Sequence, residues 1–410
     1  MEVARVSTLK ISKKQARQFI LTHQGLLKTK ETASKDYILN YIKKVGCIQY
    51  DPLNKVGRNP HLVLQSRFKN YKKDYLRELL YKDRKLIDAW DKNMSIFPVE
   101  DWPYFKRNRD KAYNKYQKKK ELVENVIPEV RKKIKNKGPL SSIDLDFDEK
   151  VDWSWAPTRA ARAALESMYQ WGELIIEHKV GTRKVYDFTD KYISENILNK
   201  EDPNQSQEDY HKWYIKRRIG SIGMLWDLSG SAWLGIKDLN KNKRVKAIST
   251  LIEQDELSEV KIEKIKHPVY IKIEELPLLK EIINGVDINS RVSFIAPLDN
   301  ILWDRKFIKR VFDFEYVWEV YKPVKEREYG YYVLPILHKD KFIGRFEPVL
   351  DKKKKELIVK NCWWKNDIDF DNELKMSLRT AFIDFMKYLD TKSIKINNNK
   401  ELSWLEDINN

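Results

Sequence analysis

Apolar positions recur at helical spacing from early in the chain. Between Ser12 and Leu26, Ala16, Phe19, Ile20 and His23 share one face, Ser12 is a predicted N-cap and Gly25 lies near the end. A second helix is predicted from Ser34 to Val45, with Tyr37, Ile38, Tyr41 and Ile42 on its apolar face and Gly46 as its stop. Cys47 to Pro52 reads as a short extended piece, because the residue before a proline avoids helical geometry. His61–Phe68 and Asp74–Tyr81 read as helices. Leu86–Trp90 and Met94–Phe97 then read as a hairpin turning at Asp91-Lys92-Asn93. Helices followed by a hairpin is the order of a winged helix-turn-helix unit.

The order comes again. After a basic stretch, Lys106–Lys120, which reads as the solvated face of a connecting helix, a helix runs to about Lys135 and Ser141 is a predicted cap. Pro157–Trp171 is a helix with Ala160, Ala164, Leu165 and Met168 as its stripe. Leu174–His178 and Lys184–Phe188 are strands joined by Lys179–Arg183. That basic hairpin tip places Lys179, Arg183 and Lys184 where wings usually meet phosphates. A third unit spans helices at Tyr210–Ser221 and Arg244–Glu253 and a hairpin at Leu257–Ile262 and Val269–Ile273. Beyond Gly285 strand-like runs dominate: Val292–Phe294, Phe312–Phe314, Tyr331–Leu337, Lys341–Phe346 and Lys355–Val359. A helix at Asn372–Leu389 closes them, and a polar, loosely held tail is expected from Ile394. The fold class is α+β, with winged units in 1–118, 119–195 and 196–285 and an antiparallel β domain in 286–410.

Composition narrows the picture. With 42% hydrophobic residues the chain has enough apolar surface for buried cores, which excludes a mainly disordered protein. No run approaches the length of a membrane-spanning helix, and the first residues carry no secretory h-region, so no membrane partner is expected. Cys47 and Cys362 are the only cysteines and form no paired motif. That argues against a disulfide framework or a Cys-based zinc site and suits a reducing cytoplasm. The formal charge of +18 attracts polyanions, nucleic acid first among them, although an AT-rich coding genome also enriches lysine.

Gln49-Tyr50-Asp51 carries the sharpest chemistry. In extended backbone, residues two apart point to one face, so Gln49 and Asp51 aim a carboxamide and a carboxylate into one space. Such a pair orients a water, takes its proton and stabilises a forming cation, as cleavage of an N-glycosidic bond requires. Arg58, His61 and Arg67 stand nearby for flanking phosphates. The competing reading is that the triplet is a cap or turn.

The surrounding residues resemble a known family. Ile48-Gln49-Tyr50-Asp51, then Leu53–Arg58, His61–Leu64 and Arg67 look like the signature of the AlkZ/YcaQ winged-helix DNA glycosylases, which excise alkylated bases and unhook interstrand crosslinks. So do Ala296–Arg305, Tyr316, Glu319-Val320-Tyr321, Pro323, Lys325, Arg327, Tyr329–Pro335 and Gly344-Arg345. The resemblance implies that Gln49 and Asp51 are the catalytic pair, in the Gln-x-Asp form of the YcaQ branch. It implies tandem winged helices forming a concave DNA-binding surface, and single-step, water-mediated chemistry without flavin, nucleotide or metal. Asn59-Pro60-His61 departs from the Ser-His-His of many relatives, which weakens the carry-over to His61 as a DNA or lesion contact. Arg305 and Arg327 are further DNA-contact candidates. Asp299 and Arg305 read as an ion pair. Trp303, Trp318, Tyr331 and Tyr332 read as core. Trp153 and Trp155 either pack on the second unit or touch DNA.

The expected function is a monomeric, cytoplasmic, nucleoid-associated monofunctional DNA glycosylase acting on double-stranded DNA with alkylated or crosslinked bases. A lysine nucleophile stays open as an alternative to water. Two rivals stand beside it: a non-enzymatic winged-helix regulator, and a scaffold whose basicity reflects genome composition.

Overall fold

The computed structural model describes residues 9–153, 156–366, 368–397 and 399–409, so Trp155 lies outside the described residues. The chain divides into two compact units, residues 1–76 with 207–410, and residues 77–206.

In the first unit the N-terminal helix is Lys13–His23. The Ser12 side chain accepts from the Gln15 amide and Gln15 returns the bond, a full capping box. The second helix, Lys35–Val45, is capped by Ser34 and stopped at Gly46, whose φ of 77° suits a residue without a Cβ. Both helices belong to one body with distant segments. His23 bonds Gly220 O at 2.7 Å and Glu275 at 3.0 Å, and the Gln24 carboxamide donates to Ser221 O and Ile222 O. Leu9–Ile11 pairs in parallel with Val260–Ile262 at one edge of the hairpin Leu257–Ile262/Val269–Lys272, and Leu225–Trp226 pairs at the other, making a four-stranded sheet. The third helical set, Gln207–Ile222 and Lys241–Glu253, belongs to this same unit.

The C-terminal part is a five-stranded sheet in the order Val292–Phe294, Leu334–His338, Lys341–Asp351, Glu356–Trp364, Ser393–Ile396. The first three pairings are antiparallel and the last is parallel, so the sheet is mixed. Helix Asn372–Leu389 lays Phe382 and Phe385 against Phe294 and Phe346 of the sheet. Two expectations fail here. Phe312–Phe314 is no strand: Asp304 caps a helix, Arg305–Phe312, that buries Phe307, Ile308, Val311 and Phe312. The tail is not loosely held either. Ser393–Ile396 joins the sheet and Leu402 and Leu405 are fully buried.

The second unit holds the hairpin Leu86–Asp91/Asn93–Pro98, helices Lys106–Gln117, Val126–Lys137 and Ala160–Gln170, and the hairpin Leu174–Val180/Arg183–Phe188. Small residues Ala160, Ala161, Ala163 and Ala164 let the third helix sit deep in an aliphatic core, with Trp153 packed on its edge. Helix Lys106–Gln117 buries none of its residues, as its charge implied. The Tyr169 hydroxyl donates to Asp88 O, and the Arg84 guanidinium donates to Ile176 O and Glu177 O.

Candidate active site

Gly46 ends its helix and the chain runs straight through Cys47, Ile48 and Gln49. Two asparagines fix this strand. Asn59 donates from Nδ2 to Gln49 O at 2.7 Å while its own Oδ1 accepts from Leu298 N–H at 3.0 Å. Asn300 donates from Nδ2 to Cys47 O at 2.9 Å. The carbonyls of alternate residues are thus held by neutral amides, one from the next helix and one from a distant segment. Gln49 is buried and Asp51 is half-buried. The Asp51 carboxylate accepts from Leu53 N–H at 2.8 Å, an Asx turn that carries the chain around Pro52. Burial pushes the Asp51 carboxyl above the ordinary aspartate range, with the Leu53 amide opposing.

The loop that follows is seated on the C-terminal helix. Gly57 has φ 119°, and a Cβ there would come within 2.0 Å of the Tyr388 hydroxyl, so only glycine fits. Tyr388 stacks on Phe385 and lies against Tyr71, whose hydroxyl is 2.8 Å from His61 Nδ1. Lys73 covers the Tyr388 ring at 4.8 Å. Burial lowers the Lys73 pKa, with Lys352 and Arg58 adding to the shift and Asp390 opposing it.

A second loop, residues 315–333, meets the first. The Lys55 ammonium lies 5.1 Å from the Tyr331 ring centre, and the Arg327 guanidinium lies 4.9 Å from the same centre. Burial raises the Tyr332 hydroxyl pKa, and the nearby charge of Asp51 raises it further.

The sequence-predicted DNA contacts divide. Arg58 is half-buried just before helix Asn59–Arg67, and His61 is half-buried on Tyr71. Arg183 is exposed at the hairpin tip, Arg305 is exposed in the first turn of its helix, and Arg327 is half-buried over Tyr331. Lys184 is half-buried, its ammonium 4.9 Å from the Tyr169 ring centre. Two do not face outward. The Arg67 side chain is 1% exposed and grips Asp299 with both terminal nitrogens, at 2.7 and 2.8 Å, while Nε donates to Gln24 O. It ties the strand's neighbourhood to the C-terminal segment and is closed to phosphate. Asp299 therefore pairs with Arg67, not with Arg305. Lys179 is likewise committed, at 2.7 Å from a buried Asp88.

Trp303 and Tyr332 are core, as expected, whereas Trp318 and Tyr331 are only half-buried. Asn59 and Asn300 were not singled out as clamps. Their signal is an amide side chain, Asn59 in the stretch that departs from the family pattern and Asn300 within Ala296–Arg305, and its purpose shows only once the backbone partners are known. Among the described residues no group of three His, Cys, Asp or Glu side chains could hold a metal, and no helix is long and apolar enough to cross a membrane.

A family model described as DNA glycosylase AlkZ-like matches residues 42–383. Among solved structures the chain is similar to the DNA glycosylase AlkZ of Streptomyces sahachiroi. The TM-score is 0.62 at 13% identity, covering 95% of this chain and all of that one.

Proposed function

We propose, for a chain that belongs to the DNA glycosylase AlkZ-like family, that it hydrolyses the N-glycosidic bond of N7-alkylated purines in double-stranded DNA through Gln49 and Asp51. The observation that carries this reading is the half-buried Asp51 at the end of a strand whose carbonyls are held by Asn59 and Asn300. A carboxylate in that setting meets a forming sugar cation with little reorganisation.

An N7-alkylated purine already carries positive charge, so it leaves as a neutral base with the electron pair of the broken C1′–N bond. The sugar becomes oxocarbenium-like and Asp51, ionised, stabilises it. The Gln49 carboxamide orients a water that adds its oxygen to C1′, and its proton passes to Asp51 and on to solvent. No cofactor enters. Cleavage at one of two joined bases would unhook an interstrand crosslink by the same step. The helix–hairpin sets serve as tandem winged helices, with the C-terminal sheet behind the catalytic loop, in a monomer acting at the cytoplasmic nucleoid. Arg58, His61, Arg183, Lys184, Arg305 and Arg327 remain the proposed DNA contacts. A regulator without catalysis gives no reason for a pinned Gln-x-Asp strand and is not favoured by the family match.

The test is single-turnover release of free base from duplex containing N7-methylguanine. Asp51→Asn should slow release by about 10²-fold or more at nearly unchanged DNA affinity. Undiminished release would remove Asp51 from the mechanism. Because Asp51 acts ionised and burial raises its pKa, activity should fall as pH drops through a value above the ordinary aspartate range. A rate flat down to the usual aspartate pKa, about 3.9, would contradict the assignment.

A further inference from the structure

The loop 315–333 ends in side chains that folding does not use. Tyr321 is 84% exposed and Val324 is 76% exposed. Two such apolar groups on adjacent turns, Glu319–Tyr321 and Val324–Glu326, would be unremarkable on a floppy segment. This one is rigidly built. The buried Glu319 carboxylate accepts from the backbone amides of Glu328, Tyr329 and Gly330 at 3.2, 2.8 and 3.3 Å and from the Lys322 ammonium at 2.7 Å. Burial works against its charge, but these donors outweigh it and hold the carboxyl down to about 2. Glu347 accepts from Tyr331 N–H at 2.9 Å, and the Arg345 guanidinium lies 3.9 Å from the Tyr329 ring centre. Trp318 stands edge-on to both Tyr321, at 5.8 Å, and the buried Tyr332. The tip is therefore a braced aromatic projection, joined to the Asp51 loop through Lys55 and Tyr331, with exposed Lys325 beside it.

We propose that Tyr321 enters the base stack of the duplex beside the damaged nucleotide and fills the space that nucleotide leaves when it turns toward Asp51. The inference rests on the glycosylase reading and deepens it. Reaching a base inside a duplex means unstacking it, and an aromatic ring put in its place offsets that loss. The cations around the tip, Lys325 and Arg327, suit the phosphates on either side. A ring carried on a braced loop is suited to this, because the backbone that presents it is set before DNA arrives.

The experiment has two arms. In the first, 2-aminopurine is placed opposite an N7-methylguanine in duplex DNA, and its fluorescence is read on binding of the Asp51→Asn protein. A rise is expected, lost when Tyr321→Ala is added and kept with Tyr321→Phe. In the second, Tyr321→Ala alone should slow base release from duplex by about tenfold or more, yet leave release from the same strand unpaired within about twofold. A Tyr321→Ala protein should melt as the parent does, since the side chain is exposed. An unchanged fluorescence rise would overturn the proposal, as would loss of the rise with Tyr321→Phe or equal slowing on duplex and single strand. If the parent protein releases no base at all, the catalytic reading fails, and the first arm still decides the role of Tyr321.

Discussion

The segment from Gln49 to Arg67 and the hairpin from Leu174 to Phe188 are both studded with cations, and each hides one of them. Beside the Gln49 strand the hidden cation is Arg67, enclosed with Asp299 at 1% and 0% side-chain exposure. In the hairpin it is Lys179, against Asp88 at 7% and 1%. The difference lies in what remains outside. The strand segment keeps the half-buried Arg58 and His61 and the exposed Lys55, whose ammonium leans on Tyr331, whereas the hairpin carries Arg183 in open solvent at a Gly181-Thr182 turn. The first arrangement builds a rigid wall for chemistry, and the second offers a charge to whatever approaches. Each buried pair is neutral, so the formal charge of +18 stays with the remaining residues, and what burial changes is which cations can meet DNA.

The largest expected effect breaks the wall. Arg67→Ala leaves Asp299 buried and uncompensated, which should cost about 3–5 kcal/mol of stability. Chemical denaturation measures it, and a loss under about 1 kcal/mol would mean that water reaches the pair. Replacing both partners by apolar residues should recover part of the loss. It should not recover all, because Gln24 O also loses a donor. If Arg67 met phosphate instead, its removal would lower the salt dependence of DNA binding with stability intact.

How much of this was legible depends on the range of the interaction. Ser12 as a cap, Gly46 as a stop and Asn372–Leu389 as a helix were readable because capping and amphipathic spacing act within a turn or two. The hairpin at Leu257 was readable for the same reason. The helix Arg305–Phe312 was missed although its signals were present: Asp304 as a cap, then Phe307, Ile308, Val311 and Phe312 at helical spacing. Its final phenylalanine was read with the next one as a strand. Other features had no local signal. Asp299 lies 232 residues from Arg67, and the polar-looking tail gains its order from a parallel partner, Glu356–Val359. Leu9–Ile11 finds its partner at Val260–Ile262, so part of the third hairpin's sheet comes from the other end of the chain. The Gln49 and Asp51 positions were visible as a triplet, but not the asparagines that pin it, since an amide gives no sign of which carbonyl it will meet.

The smallest effect sharpens the other side of the comparison. Arg183 follows a two-residue turn and is exposed, so Arg183→Ala should change stability by no more than about 0.5 kcal/mol. Its contribution should appear only against DNA. A cation that neutralises one phosphate releases counterions, and its loss should reduce the slope of log affinity against log salt by about 0.9. The measurement is a binding isotherm series between low and moderate salt on undamaged duplex, where base chemistry cannot interfere. A reduced slope would place the hairpin tip on the phosphate backbone and make Arg183 the functional opposite of Arg67. An unchanged slope would make the exposed arginine a solvated tip. The work of holding DNA would then fall to the cations around the catalytic loop, Arg58, Lys73 and Lys352, whose mutual repulsion is eased most when a polyanion lies among them.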